Sequence, residues 1–75
     1  MPKVDLHSSM LKDARYQEQG ALLDLEFQSV AIYRYLGVPP PVYQELLQAE
    51  SKGRYFNRHI RNRYPCTPID PAPLA

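Results

Sequence analysis

The run Gly37-Val38-Pro39-Pro40-Pro41 divides the chain into two parts with different periodicities. Proline has no N–H to give a central ladder, so a strand that reaches this run ends there. In the first turn of a helix a proline costs nothing, because that N–H has no partner anyway. Before the break the pattern is that of strands. From Ala21 to Phe27, Leu23, Leu25 and Phe27 point one way while Asp24 and Glu26 point the other, as in a half-buried antiparallel strand. Val30 to Leu36 is rich in β-branched and aromatic residues and reads as a strand. Met10 to Gln17 is a shorter, mixed pattern with Ala14 and Tyr16 on one face. Glu18-Gln19-Gly20 gives a tight turn, since glycine accepts the positive φ that hairpins demand, and Gln28-Ser29 gives a weaker one.

After the break the spacing changes to that of a helix. Val42 pairs with Leu46 and Tyr43 with Leu47 at i,i+4. Ser51 is placed to cap a second helix, Gly53 falls in its first turn or in the bend between helices, and Pro65 stops it. The expected fold is α+β: a three-stranded antiparallel meander over about 10–17, 21–27 and 30–36, then two helices over about 40–49 and 52–64, packed on one face. Meander order follows because adjacent antiparallel strands need only a hairpin. Residues 1–9 read as a lead-in, 10–64 as a single domain, and 65–75, with four prolines, as a disordered tail.

A length of 75 residues allows one domain of marginal stability. The single cysteine, Cys66, rules out an intramolecular disulfide and suits a reducing compartment. Met1 to His7 holds no apolar run of a signal peptide, and no stretch nears the ~20 apolar residues of a membrane span. A soluble, cytoplasmic monomer is expected. His7 and His59 are isolated, Cys66 lies in the tail, and no spacing suits a metal. Nothing positions Ser8, Ser9, His59 or Cys66 as nucleophile and base. No cofactor and no enzymatic activity are expected.

Charge is distributed very unevenly. Ser51 to Tyr64 holds five of the nine Lys and Arg residues (Lys52, Arg54, Arg58, Arg61 and Arg63) and no acid, although the whole chain is only +1. Local potential, more than net charge, attracts polyanions. At 100° per residue, Phe56, Ile60 and Tyr64 share one side of the helix. Arg54, Arg58 and Arg61 lie opposite, within about 60° of one another, with Tyr55 and His59 on a flank. The plain alternative is a solvated face, or pairing with Asp24 and Glu26 on the sheet. Against it stand the missing i,i+4 acids and the predominance of Arg, whose planar fork bonds phosphate bidentately. Ser51-Lys52-Gly53 offers a hydroxyl, an ammonium and close backbone approach at a helix N-terminus, a phosphate site in form, or else simply a cap and joint. Tyr33 and Tyr35 share one face of a strand, either to stack bases or to fill the core.

These segments together resemble the KTSC family, a small module named after the C-terminus of certain lysyl-tRNA synthetases and also found as short stand-alone bacterial and phage proteins. The likeness covers most of residues 8–64. It rests on Ser8-Ser9, Leu23 to Phe27, Tyr33-Arg34-Tyr35, Val38-Pro39-Pro40 with Val42-Tyr43, and above all Ser51 to Arg61. The family's Tyr-x-Tyr falls on Tyr33 and Tyr35, and its Tyr-Phe-Asn on Tyr55, Phe56 and Asn57. Family members often carry Gly in the turn before the Tyr-x-Tyr strand, where this chain has Val30. The resemblance implies no established activity, and its suggestion of RNA binding rests on association with a synthetase. The function expected is nucleic-acid binding, of single-stranded or structured RNA more than DNA. Arg54, Arg58 and Arg61 would bind phosphates, Lys52 and Arg63 would assist, and Tyr33 or Tyr35 would stack if exposed. The rival is a protein-interaction module that docks the same arginines on an acidic surface.

Overall fold

The structure, a computed structural model, describes residues 4–29 and 31–69. Its centre is an antiparallel sheet of five strands in chain order: β1 (Val4–Asp5), β2 (Leu11–Gln17), β3 (Leu22–Phe27), β4 (Ile32–Leu36) and β5 (Cys66–Ile69). Two helices, α1 (Pro40–Gln48) and α2 (Lys52–His59), are inserted between β4 and β5. The expected three-stranded meander is therefore the middle of a wider sheet. It gains β1 from the lead-in and β5 from the segment read as a disordered tail.

The alternation in β3 sets the register. Leu23 and Leu25 are buried, facing Tyr16 and Ala14 on β2 and Tyr35 and Tyr33 on β4. Asp24 points to the other face, between Arg15 and Arg34. A bulge between Leu11 and Asp13 lets Leu11 return to the core side, where it is fully buried. The β2–β3 hairpin turns through Gly20 at φ 96°, then Ala21 at φ 54°. Phe27 N–H donates to the Ala31 carbonyl at 2.9 Å across the β3–β4 turn, while Val30, the departure from the family pattern, lies outside the described residues.

Gly37, at φ 75°, turns the chain off β4. Val38 is buried in the core, and its carbonyl accepts the Tyr16 hydroxyl at 2.6 Å. α1 then begins with prolines in its first turn, as the break predicts. Its Leu46, with Phe56 and Ile60 from α2, covers Leu11, Leu23, Leu25 and Tyr35. Tyr43 stacks on Tyr16 with centroids 4.7 Å apart.

α2 stops earlier than the expected Tyr64. Ile60 is its C-cap, and the Ile60 and Arg61 N–H groups both donate to the Phe56 carbonyl, at 3.0 and 2.9 Å. Asn62 then takes a left-handed φ of 63°. Asparagine tolerates that conformation, and it ends the helix before Pro65 is reached. Pro65 and Pro68 read as breakers, yet β5 forms around them. The Leu36 N–H donates to the Pro65 carbonyl at 2.9 Å, which makes Leu36–Pro65 a bonded rung. Rungs alternate, so Arg34–Thr67 is bonded and Tyr33–Pro68 is not. Pro68 therefore loses no ladder bond.

Candidate nucleic-acid interface

The start of α2 is a built cap. The Ser51 hydroxyl accepts from the Arg54 N–H at 3.3 Å. The Lys52 ammonium donates to the Ala49 carbonyl at 2.9 Å and is half-buried, so it ties α2 to the end of α1. A Cβ on Gly53 would lie 3.5 Å from Met10, in ordinary contact. This glycine packs the helix against the loop before β2. Ser51 and Lys52 thus take part in the joint between the helices, and Gly53 in the packing of α2 on the loop before β2.

Arg54, Arg58, Arg61 and Arg63 are all exposed, but not as one stripe. Arg54 and Arg58 share a shallow groove of about 240 Å³ beside Tyr55 and His59. Arg63 borders a second groove, of about 370 Å³, on the other side of that ring pair. Arg61 lies past the end of α2 and borders a third groove, of about 460 Å³, with Tyr33, Phe56 and Asn57. The helical projection fails at Arg61 because the helix has already ended.

Asp24 and Glu26 do not neutralise these arginines. The Arg34 guanidinium holds Asp24 bidentately, Nε to Oδ1 at 2.8 Å and Nη2 to Oδ2 at 3.0 Å, and its own pKa is raised by that bond and charge. Glu26 lies 3.8 Å from the Lys12 ammonium. Among the described residues no ion pair involves Arg54, Arg58, Arg61 or Arg63.

The two tyrosines of the Tyr-x-Tyr motif separate. Tyr35 is core: it is 5% exposed and meets Phe56 edge-on at 5.7 Å, so no base can stack on it. Burial, and then the neighbouring Cys66 thiol, pushes its phenol up to about 12. Tyr33 is half-buried, edge-on to Phe27 at 6.0 Å, and keeps some ring surface on the third groove.

The ring that stands among the arginines is Tyr55. It stacks on His59 with centroids 4.5 Å apart and planes 30° from parallel. Its hydroxyl donates to Glu45 Oε1 at 2.8 Å, and burial with this carboxylate pushes the phenol up to about 12. The i,i+4 spacing of Tyr55 and His59 was the available signal for this platform. The third groove had no local signal, since strands and helix meet there only in the fold. Among the described residues no group of three or more His, Cys, Asp or Glu side chains is placed to hold a metal ion. None of their helices is long and apolar enough to cross a membrane.

The family model described as the KTSC domain matches residues 7–64. An uncharacterized protein of Stutzerimonas stutzeri is 48% identical over 64 residues, covering 85% of this chain and 90% of that protein. A lysine–tRNA ligase of Nostoc punctiforme is 35% identical over 63 residues, which make up 84% of this chain and only 11% of the ligase. The crystal structure of a KTSC domain protein from Yersinia pestis superposes with a TM-score of 0.89 at 30% identity, covering 92% of this chain and 97% of that one.

Proposed function

The chain belongs to the KTSC domain family, and we propose that it serves as a small, soluble cytoplasmic module that binds nucleic acid, RNA in preference to DNA, and catalyses no reaction. The observation that carries this reading is the set Arg54, Arg58, Arg61 and Arg63, exposed and without a carboxylate partner among the described residues. A guanidinium left unpaired at a surface keeps its fork for phosphate. Arg54 and Arg58 grip the backbone on one side of the Tyr55–His59 platform and Arg63 on the other. Lys52 contributes field more than contact, its ammonium being engaged. The preference for RNA is supported by the kinship with a protein named as a lysine–tRNA ligase.

Three or four phosphate contacts give a single-strand salt slope of roughly −2 to −3, with affinity no better than ~10⁻⁵ M. The test is a titration with single-stranded RNA at several salt concentrations, on the native chain and on a triple variant with Arg54, Arg58 and Arg61 each changed to Glu. Binding that weakens along that slope and vanishes in a still-folded variant supports the reading. If neither protein binds, the acidic-protein surface is the better partner for the same arginines.

A further inference from the structure

The third groove differs from the other two in having an aromatic floor and an amide-bearing rim. Phe27 lines the groove, edge-on to Tyr33 at 6.0 Å and to Phe56 at 5.4 Å. Tyr33 and Phe27 are half-buried, so ring surface remains at the opening. The rim carries Asn57, Arg61 and Asn62, all exposed. Asn62 is held at φ 63° by the turn that ends α2, and this turn brings residues 61 and 62 round to the sheet side. The volume of about 460 Å³ falls within the range of small-ligand sites.

Each part of this groove has a counterpart in a nucleotide. A flat aromatic base can stack on one of these rings and meet the next at its edge, since neighbouring rings stand 73–89° apart. The carboxamides of Asn57 and Asn62 each offer a donor and an acceptor to a base edge. The Arg61 guanidinium, without an ion pair among the described residues, suits one phosphate. The geometry points to a pocket for a single unstacked nucleotide, its base stacked on Tyr33 with an edge against Phe27, which stands 89° to that ring, and its phosphate on Arg61. The inference rests on the nucleic-acid reading, since a strand crossing α2 would deliver such a nucleotide, but the pocket has its own test. It adds a base-reading element to what is otherwise contact with phosphates alone.

The same chemistry belongs to a free mononucleotide and to a base splayed out of a strand, so the experiment has two arms. In the first, the full chain is titrated with each of the four ribonucleoside 5′-monophosphates and followed by NMR. Side-chain amide signals of Asn57 and Asn62 and ring signals of Phe27 and Tyr33 should move, less so in the Arg61→Ala variant. In the second, a short RNA strand is compared with an abasic strand of equal length. The base-bearing strand should bind about five- to 150-fold tighter, as stacking of one base requires. Asn57→Ala, at an exposed position, should narrow that margin while the salt dependence persists. Equal binding of the two strands, with no groove signals moving, overturns the pocket and leaves the phosphate-binding reading intact. Groove shifts with monophosphates but no strand binding support the pocket and overturn the strand reading. Silence in both arms overturns both.

Discussion

Lys52 and Arg58 lie six positions apart in one basic segment, yet their surroundings give them different work. The Lys52 ammonium satisfies the Ala49 carbonyl, one of the acceptors that the last turn of α1 leaves over. Lys52→Ala should therefore cost about 1 kcal/mol of stability, read from the urea midpoint, and leave the salt slope of RNA binding nearly unchanged. Arg58 is exposed with no ion pair among the described residues. Arg58→Ala should leave the midpoint in place and make the slope shallower by roughly 0.7. A reversed result would mean that the ammonium meets phosphate and the guanidinium braces the fold.

At the scale of the element, what was legible depended on where the hydrogen-bond partners lie. β2, β3 and β4 are joined by short turns, and the alternation of β3, the β-branched and aromatic content of β4 and the Ala14/Tyr16 face of β2 carried the assignment. α1 and the Ser51 cap were legible for the same reason, being set within a few residues. β5 was not, because its partner β4 lies some thirty positions earlier and its prolines discourage any local assignment as strand. Nor was the end of α2, which is decided by Asn62 turning left-handed and not by Pro65. The arginines were found one by one, but their division among three grooves depended on that unseen ending. Thr67 and Pro68 give a sharp test of the register. Thr67→Pro removes a bonded N–H and should destabilise by about 3 kcal/mol, whereas Pro68→Thr should be within about 0.5 kcal/mol of neutral. Equal effects in urea unfolding would place the rungs one residue out of phase.

For the whole molecule, the buried phenols link stability to alkaline pH. Tyr35 and Tyr55 are both raised to about 12, chiefly by burial, with Cys66 and Glu45 respectively adding to it. Tyr16 and Tyr43 are shifted the same way by burial. In the unfolded chain a phenol ionises near 10. The folded state thus holds these protons more tightly, and the stability they confer is complete below about pH 10 and is lost as pH climbs toward 12. The urea midpoint should be level through the neutral and mildly alkaline range and fall above about pH 10. Tyr35→Phe should flatten part of that fall. A midpoint that declines equally in the variant would show the Tyr35 phenol to be no better protected than an exposed one.

Pro68 has one more effect, on the outside of the sheet. The side of β5 turned away from β4 would ordinarily offer its amide to a passing strand at each unbonded rung, and one of those rungs is Pro68. A neighbour aligning there finds an acceptor but no donor, so the zipper that propagates fibrils has a missing tooth. The β5 edge is for that reason a poorer template for a second copy than an unbroken strand of the same length.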